Sequence, residues 1–517
     1  MNAILNTINQ FAQSTPDSIA IEGDELHLSY RTLQNEAIKL SDHFKRQQIR
    51  CLALLMDNSP AWVVFDLAAQ MADTTLIPLP PFFTPEQIYH TLADAAVDTL
   101  ITDQSVLISK LFSAARPRPI QKVAGKSCWQ ATLTESATRK PELNGIAKVT
   151  YTSGTTGTPK GVCLTQQAMN NVSISLKQAI GVNARDRHLC LLPLAVLLEN
   201  TGGVYTTLLA GGCCIIPSLS KTGISGATKL DPKLMANAIR TADASTLILL
   251  PQMLQALITE VRTTMPLPQR LRFIAVGGAP VARTLLEQAE AINLPVFEGY
   301  GLSECASVIA VNTPASHRLG SVGKLLPHTQ VRFNHDGEIL LAGNLFSGYL
   351  NHEVRDGRWY ASGDLGYLDS DGFLYLTGRK KSCFITSFGR NVAPEWVEKE
   401  LTVQPAIAQA ALFGEAQPFN IAVITPEAGT SQTDVQIGAA IAAANHQLPD
   451  YAQVSAWLLA DEPFSIANQQ LTATGRVRHD AIWHHYGERI NQHYRQQGSH
   501  TRLTNNRKEA TCHSLMT

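Results

Sequence analysis

Short apolar strands alternate with helical patterns through the first three quarters of the sequence. Residues 51–55 form a continuous apolar run, residues 60–71 have a helical pattern, and residues 75–79 form the next strand-like run. Thr84 before Pro85 has the residue types of a helix N-cap and first helical position. This alternation is typical of βαβ units, and it predicts a mostly parallel sheet covered by helices.

The length of 517 residues exceeds what one hydrophobic core usually supports, so at least two domains are expected. From residue 320 to 376 the pattern changes to short β-like runs with Asp-Gly turns, which indicates an antiparallel meander or a small barrel. A smaller α+β unit follows it. The predicted boundaries are 1–379 for the large N-terminal domain, 380–490 for the C-terminal domain and 491–517 for a polar, disordered tail.

Composition favours small-molecule chemistry in a reducing compartment. A formal net charge of −1 gives no support to nucleic-acid binding. The nine cysteines are odd in number and include no C-x-x-C pair, so buried thiols are expected rather than zinc ligands or disulfides. The N-terminus lacks a signal-peptide pattern, and no run of about 18 apolar residues occurs. We therefore expect a cytoplasmic protein without a transmembrane segment.

The segment 149–162 combines glycines, many hydroxyl side chains and Lys160 between two strand-like runs. Glycines allow backbone N–H groups to approach an anion, and hydroxyls and a lysine add further donors, so the segment is suited to bind a polyphosphate. It is not a Walker motif, because no glycine precedes the lysine. A flexible polar linker is the alternative, but strands at both ends of the segment argue against it.

A second block, residues 297–304, places Tyr300 between two glycines and ends in Glu304. The aromatic ring could lie against a purine, and a carboxylate is a hard oxygen ligand for Mg²⁺ next to phosphates. Taken alone, the block is equally consistent with an ordinary turn.

Two further blocks carry single charged groups suited to a nucleotide. Asp364 lies in a glycine turn and is suited to accept hydrogen bonds from ribose hydroxyls, and Arg379 supplies a guanidinium near the expected break between domains. Each alone could be a turn residue or a solvated charge. Their combination with the first two blocks makes a shared ligand the better interpretation.

These four blocks, in this order, resemble the adenylate-forming superfamily of acyl-CoA synthetases, nonribosomal-peptide adenylation domains and luciferases. The resemblance spans residues 10 to 485, and residues 413–418 and 421–426 are similar to the fatty acyl-CoA synthetase branch. It implies an α/β fold with two sheet-helix subdomains plus a β-barrel in a large N-terminal domain. A hinge at Lys381 would lead to a small mobile α+β C-terminal lid.

The resemblance also implies a reaction and its site residues. A carboxylate attacks the α-phosphate of ATP·Mg²⁺ to give an acyl adenylate, and the thiol of CoA, or of the phosphopantetheine of a separate acyl carrier protein, then takes the acyl group. The implied catalytic residues are Thr152, Lys160, Glu304 and Arg476, with Glu304 also the Mg²⁺ ligand. The implied nucleotide contacts are Thr152, Ser153, Gly154, Thr155, Thr156, Gly157, Lys160, Gly278, Ala279, Tyr300, Gly301, Ser303, Asp364 and Arg379. The implied acid contacts are Val196, Glu199 and Gly277.

Two positions depart from the family pattern. Arg476 stands where the family has a lysine between the acid and the α-phosphate, and Val196 stands where a histidine or aromatic residue is common. Arginine is a planar fork rather than a point donor, so the exchange is not conservative. One hypothesis is an ATP-dependent acid–thiol ligase for a fatty or other apolar acid. The other is a nucleotide-binding homologue that adenylates weakly or not at all. The intact phosphate segment, Glu304, Asp364 and Arg379 favour the enzyme.

Overall fold

A computed structural model of the chain describes residues 2–106, 117–133, 141–152, 159–225, 229–263, 267–352, 357–380, 383–387, 390–427, 434–472 and 475–495. Contacts divide the chain into two compact units, Met1–Leu376 and Thr377–Thr517. This division falls just before the boundary expected at residue 379.

The described helices are mostly amphipathic segments of two to five turns. In the first unit they are α1 Ala3–Ser14, α2 Tyr30–Arg46, α3 Pro60–Met71, α4 Pro85–Asp94, α5 Gln166–Ile180, α6 Thr206–Leu209, α7 Pro232–Thr241, α8 Pro251–Thr263 and α9 Arg283–Glu290. A π-helix spans Leu198–Tyr205, and 3-10 helices span Leu219–Thr222 and Ser303–Cys305. In the second unit they are α10 Pro394–Thr402, α11 Asp434–Asn445 and α12 479–495, with a 3-10 helix at Asp450–Ala452.

The described strands are short, and most belong to the first unit. They are β1 Ile19–Glu22, β2 His27–Ser29, β3 Cys51–Leu55, β4 Thr75–Pro78, β5 Thr99–Thr102, β6 Arg118–Val123, β7 Lys126–Thr132, β8 Lys148–Thr152, β9 Lys160–Leu164, β10 Arg187–Leu189, β11 Cys213–Ile215, β12 Ile224–Ser225, β13 Lys229–Leu230, β14 Thr246–Leu249, β15 Phe273–Val276, β16 Val296–Leu302, β17 Ser307–Val311, β18 Lys324–Leu325, β19 Thr329–Phe333, β20 Glu338–Gly343, β21 Gly348–Tyr349, β22 Tyr360–Leu368 and β23 Leu374–Arg379. The second unit adds β24 Phe384–Ile385, β25 Asn391–Val392, β26 Ile407–Phe413, β27 Asn420–Pro426 and β28 Val454–Leu459.

Two large sheets of the first unit confirm the predicted α/β fold. One has the order β18-β17-β16-β15-β14-β10-β11-β1-β2, and the strands from β16 to β1 are parallel to their neighbours. The other has the order β21-β9-β8-β4-β3-β5-β7-β6, with β8, β4, β3 and β5 parallel. Antiparallel strands close both edges of each sheet.

The predicted helix signals in this region are confirmed in detail. Helix α3 occupies residues 60–71 as expected, and its residues from Pro60 to Ala69 are all buried, as an all-round apolar helix requires. Thr84 caps α4, and Gln87 bonds back to the Thr84 amide to complete a capping box.

The region predicted as a meander or small barrel folds as an antiparallel sheet. Its strand order is β19-β20-β22-β23, and β19 and β22 both run antiparallel to β20. A bridge between Lys324 and Phe373 connects it to the edge of the first large sheet. This sheet carries Asp364 on its longest strand.

The second unit is a small α+β body built on the sheet β26-β27-β28. Its last helix, α12, continues to residue 495, so the prediction that a tail begins at residue 491 is wrong for residues 491–495. The reason is aromatic anchoring: the Tyr494 hydroxyl donates to the Phe413 carbonyl at 3.2 Å, and its ring packs 5.0 Å from that of Phe419. Residues 496–517 lie outside the described residues.

Two further expectations concern cysteines and membranes. The described cysteines are free thiols, and all are buried except the half-buried Cys383, as predicted; Cys512 lies outside the described residues. Within the described ranges, no helix is both long and apolar enough to cross a bilayer.

Candidate active site

The base of the predicted phosphate segment is a β-ladder. Strands β8 and β9 pair in an antiparallel register that places Thr152 opposite Lys160. The two residues face each other, so a hydroxyl and an ammonium group lie at the two ends of the predicted phosphate segment. The predicted contacts Ser153, Gly154, Thr155, Thr156 and Gly157 lie outside the described residues.

Helix α4 holds both ends of this segment. Its His90 Nε2 lies 3.0 Å from the carbonyl oxygen of Pro159, so Nε2 carries the proton and donates. The Tyr151 hydroxyl donates to Asp94 Oδ2 at 2.8 Å, and the side-chain amide of Asn351 donates to Asp94 Oδ1 at 2.9 Å. The segment is therefore anchored by side chains as well as by strands.

Glu304, the predicted metal ligand, and Lys160 both contact Tyr349. The Tyr349 hydroxyl donates to Glu304 Oε1 at 2.7 Å, and Lys160 Nζ lies 5.6 Å from the centre of the Tyr349 ring. Tyr349 has one proton to give, so the Tyr360 hydroxyl, at 3.1 Å, donates to Tyr349. Burial, the hydrogen bond to Glu304 and the charge of Glu304 raise the pKa of Tyr349 far above its usual range. Tyr349 therefore remains a donor to Glu304.

Tyr300 and Asp364 form a second pair beside the first. The Tyr300 hydroxyl donates to Asp364 Oδ2 at 2.5 Å, and Asp364 is buried. Burial and the charge of Asp364 raise the pKa of Tyr300 well above its usual range, so the phenol keeps its proton. The Asp364 amide donates to Ser362 Oγ at 3.0 Å, which fixes the turn that presents the carboxylate.

Glycines let the backbone after β15 approach the parallel strand β16, and let β16 approach the antiparallel strand β17. A Cβ on Gly301 would lie 1.9 Å from the Ser307 carbonyl oxygen, and one on Gly277 would lie 2.8 Å from that of Gly299. Gly278 has φ +78° and faces Leu250. Only glycine fits these positions, and they bring the backbone after β15 against β16 at the carboxyl edge of the sheet, where α/β proteins bind ligands. Ala279 is exposed at this edge, and Ser303 begins the 3-10 helix that carries Glu304.

The prediction that Glu199 contacts the acid is corrected by the structure. Glu199 is completely buried, and its Oε1 lies 2.7 Å from His188 Nε2 while its Oε2 accepts the Leu192 amide at 3.0 Å. His188 Nδ1 lies 2.9 Å from Thr246 Oγ1. Because both carboxylate oxygens are engaged in the core, Glu199 holds the π-helix against β10 instead of facing a ligand. Val196, three residues earlier, is only half buried.

A buried lysine links the phosphate segment to the same π-helix. Lys148 begins β8, and its Nζ lies 3.0 Å from Asp66 Oδ1, 2.5 Å from Asn200 Oδ1 and 3.1 Å from the Tyr205 hydroxyl. The Tyr205 hydroxyl in turn donates to Asp66 Oδ2 at 2.6 Å. Burial opposes the charged form and lowers the pKa of Lys148, although Asp66 favours that form. The network joins α3, β8 and the π-helix.

Sequence comparison decides the family. Residues 8–350 match the family model described as AMP-binding enzyme, and residues 381–498 match the model of the AMP-binding enzyme C-terminal domain. The chain belongs to the AMP-binding enzyme family. The superfamily resemblance drawn from the four sequence blocks is thereby confirmed.

Relatives of this AMP-binding enzyme include acid–CoA ligases. The 2-succinylbenzoate–CoA ligase of Bacillus velezensis is 29% identical over 439 residues, covering 80% of this chain and 85% of the relative. That of Bacillus subtilis is 27% identical over 433 residues, covering 79% and 84%. The acid in these relatives' names is 2-succinylbenzoate, which is not a fatty acid, whereas the C-terminal segments of the sequence suggested a similarity to fatty acyl-CoA synthetases.

Solved structures confirm the fold of this AMP-binding enzyme. An anthranilate CoA ligase in complex with anthranoyl-AMP has a TM-score of 0.77 at 18% identity, over 93% of this chain and 96% of that one. The Bacillus subtilis o-succinylbenzoate CoA synthetase with its acyl-adenylate has a TM-score of 0.73 at 22% identity, over 92% and 97%. The large N-terminal domain and smaller C-terminal domain of those folds are present here.

The remaining predicted residues of the AMP-binding enzyme follow residue 376, where its first unit ends within β23. Arg476 is exposed in a tight turn, and its amide donates to Thr472 Oγ1 at 3.0 Å. Arg379 ends β23, and its carbonyl accepts the Cys383 amide at 2.8 Å. The predicted hinge residue Lys381 lies outside the described residues.

Sequence reasoning missed the residues that orient the others. Tyr349, His90 and Lys148 make the contacts described above, yet none lies in a recognisable block. In the sequence, these residues are marked only as polar residues near apolar runs. Such residues are too common to identify a functional position. Each acts through a partner at least 45 residues away in sequence.

Proposed function

We propose that this AMP-binding enzyme is an ATP-dependent acid–CoA ligase that works through an acyl adenylate. A carboxylate oxygen attacks the α-phosphorus of ATP, the bond to the β-phosphate oxygen breaks, and pyrophosphate leaves. The sulfur of CoA then attacks the acyl carbonyl carbon, its proton is lost, and AMP leaves. An acyl carrier protein thiol remains the alternative acceptor.

The single observation that carries the proposal is the chain of contacts from Lys160 through Tyr349 to Glu304, with the Tyr300–Asp364 pair beside it. Tyr349 contacts both a cation at the base of the phosphate segment and a hard oxygen ligand, and the Tyr300–Asp364 pair offers a carboxylate suited to ribose hydroxyls. The names of the relatives support the same reaction class.

Each of these residues has a role in the proposal. Thr152 and Lys160 contact the β- and γ-phosphates, Tyr300 packs against adenine, and Asp364 accepts from the ribose hydroxyls. Glu304 offers carboxylate oxygen, which Mg²⁺ prefers, so the donor set fits that ion. Bound Mg²⁺ would neutralise phosphate charge. Positioning and charge stabilisation then supply most of the catalysis.

The resemblance to the superfamily also gives roles to Arg476 and Arg379. Arg476 would neutralise charge between the attacking carboxylate and the α-phosphate, and Arg379 would contact the ribose. A guanidinium is always charged and can hold two oxygens at once, so it is competent for charge neutralisation although its shape differs from that of an ammonium.

The acid we propose is apolar and carries a single carboxylate. The candidate acyl wall comprises residues 196–204, 248–250, 275–279 and 299–302. A Cβ on Gly202 would lie 3.6 Å from Ile248 Cδ1, and the contacts of Gly277 and Gly278 given above link the remaining segments. No lysine, arginine or histidine occurs in residues 190–220, 246–261, 273–282 or 294–316 of the sequence. The basic side chains that contact this wall from outside these ranges are Lys148, at Asn200, and His188, at Glu199, and they already pair with Asp66 and Glu199. A second buried carboxylate would have to compete with these pairs, which is costly.

Pyrophosphate exchange with a panel of acids, from acetate to stearate and including benzoates, tests the reaction. Acid-dependent exchange with ATP, followed by thioester formation with CoA, is the expected result. ATP binding without exchange for any acid would replace the proposal by the nucleotide-binding alternative.

Matched acids test the substrate class separately. Octanoate is compared with octanedioate, and 3-benzoylpropanoate with 2-succinylbenzoate, since each pair differs by one carboxylate. We expect the monocarboxylate of each pair to be favoured in kcat/KM by at least about tenfold. Equal or inverted preference for both pairs would overturn the apolar assignment while leaving the ligase assignment intact.

A further inference from the structure

The turn that carries Arg476 is held by short backbone bonds. Leu471 and Val477 form an antiparallel bridge, and the Thr472 amide donates to the Arg476 carbonyl at 2.8 Å. The Arg478 amide donates to the Gln470 carbonyl at 2.9 Å. The direction in which Arg476 leaves this turn depends on what holds the chain just after it.

His479, three residues after Arg476, ties that end of the turn to the core of the second unit. Its Nε2 lies 2.5 Å from Glu398 Oε1, and Glu398 is buried on helix α10. The same carboxylate oxygen accepts the Leu412 amide from β26 at 2.7 Å. The rings of His479 and Phe413 pack edge to face, with their centroids 5.9 Å apart. His479 thus fixes the start of α12 to both α10 and β26.

The groups around His479 favour its charged form. Burial opposes the imidazolium, but the charge of Glu398, its hydrogen bond and the charges of Glu395 and Asp480 outweigh burial and raise the pKa of His479. The positive end of the α12 dipole acts in the opposite direction, because His479 is the first residue of that helix. The contact is therefore a charge-assisted bond below the raised pKa of His479 and a weaker bond above it.

We infer that His479, held by Glu398, is a positioning residue that fixes where Arg476 leaves its turn. This inference rests on the proposed role of Arg476 in adenylation. A small displacement of a charge-neutralising group lowers the rate of the chemical step without weakening nucleotide binding in proportion.

The activity test compares wild type with His479→Gln and His479→Lys in pyrophosphate exchange at saturating ATP and acid. Below the His479 pKa, wild type should exceed His479→Gln in kcat by about tenfold, since misplacement by about 1 Å can cost up to about 100-fold. This ratio should fall toward unity as pH rises through the His479 pKa. His479→Lys keeps a cation at this position. Its rate should stay near that of wild type and should not fall as pH rises through the His479 pKa. If the ratio of the wild-type kcat to the His479→Gln kcat does not change with pH, the inference is overturned.

A readout without turnover separates this inference from the proposed function. In the full chain, the His479 ring is followed by NMR during a pH titration, with His479→Gln identifying its signal. The ring should titrate above the ordinary value of about 6.5, and lower in Glu398→Gln. The Arg476 amide should shift with the same midpoint. If that amide does not respond, the positioning role is overturned. If wild type shows no pyrophosphate exchange at all, the proposed activity fails. The pH response of the Arg476 amide signal then tests the positioning role of His479 by itself.

Discussion

Tyr349 donates its hydroxyl proton to Glu304 across 2.7 Å, although the two residues lie 45 positions apart in sequence. The Tyr349 ring also faces Lys160 Nζ. One aromatic side chain therefore sets the orientation of the proposed metal ligand and the position of the proposed phosphate ligand. We therefore expect the binding of both Mg²⁺ and ATP to depend on Tyr349.

Replacing Tyr349 by Phe should raise the KM for Mg·ATP by about tenfold, because a hydrogen bond to a charged group contributes about 1.5 kcal/mol. The ring remains in place over Lys160, so only the orientation of Glu304 is lost. Steady-state exchange kinetics at varied Mg²⁺ would measure the change. Tyr367→Phe is the matched control, since Tyr367 is half exposed and stacks on Tyr375. Equal effects of the two variants would contradict the assigned role of Tyr349.

Arg476 should matter for the first half-reaction more than for the second. We expect Arg476→Ala to slow acyl-adenylate formation by at least about 100-fold, a loss of the size seen when one charge-stabilising donor is removed. Arg476→Lys keeps the charge and should retain the rate within about tenfold. Thioester formation from a supplied acyl adenylate should change little in either variant. Arg478→Ala, two residues further on, controls for general loss of charge in this turn. If Arg476→Ala adenylates normally, Arg476 has no role in that step.

The buried Lys148 should be essential to stability. Lys148→Met leaves Asp66 buried without its cation, and breaking such a pair costs about 3–5 kcal/mol of the free energy of unfolding. Adding Asp66→Asn should recover part of that loss, because the uncompensated charge is removed. Chemical denaturation provides the measurement, and Lys126→Met is the control, because Lys126 is 38% exposed and pairs with Asp103 at 3.3 Å. Similar losses for Lys148→Met and Lys126→Met would refute the argument.

Asp186 should make the first unit sensitive to acid. Burial opposes its ionisation, but hydrogen bonds from Arg272, the Asn183 amide and Ser245 outweigh burial and lower the pKa of Asp186. A lowered folded-state pKa gives stability that is fully present above the unfolded value of about 3.9 and is lost as pH falls through the folded value. Asp186→Asn should therefore destabilise the protein at neutral pH. It should also reduce the loss of stability that wild type shows as pH falls below about 3.9. Thermal melts between pH 2 and 7 check this, and Asp243→Asn, at an exposed pair with Arg270, should change little.

The sequence was sufficient where the physical signal is local. Helix α3 and the Thr84 cap were predicted at their observed positions because apolar periodicity and cap chemistry are properties of a few neighbouring residues. The phosphate segment and the blocks at Tyr300 and Asp364 also carry local signals, and their contacts with a nucleotide stay predictions. The continuation of α12 to residue 495 was missed, because one aromatic anchor at Tyr494 outweighs the polar composition around it.

Contacts between distant segments were decided only by the tertiary structure. Glu199 has the residue type of a ligand contact, but the fold pairs it with His188 and buries it. Tyr349 reaches Lys160 because β21 pairs with β9 in a register that sets Tyr349 opposite Val162. A shift of that register by one residue would turn Tyr349 to the other face of the sheet. The sequence thus determined which chemical groups the protein carries, and strand pairing determined which of them meet, because register depends on packing across the whole sheet.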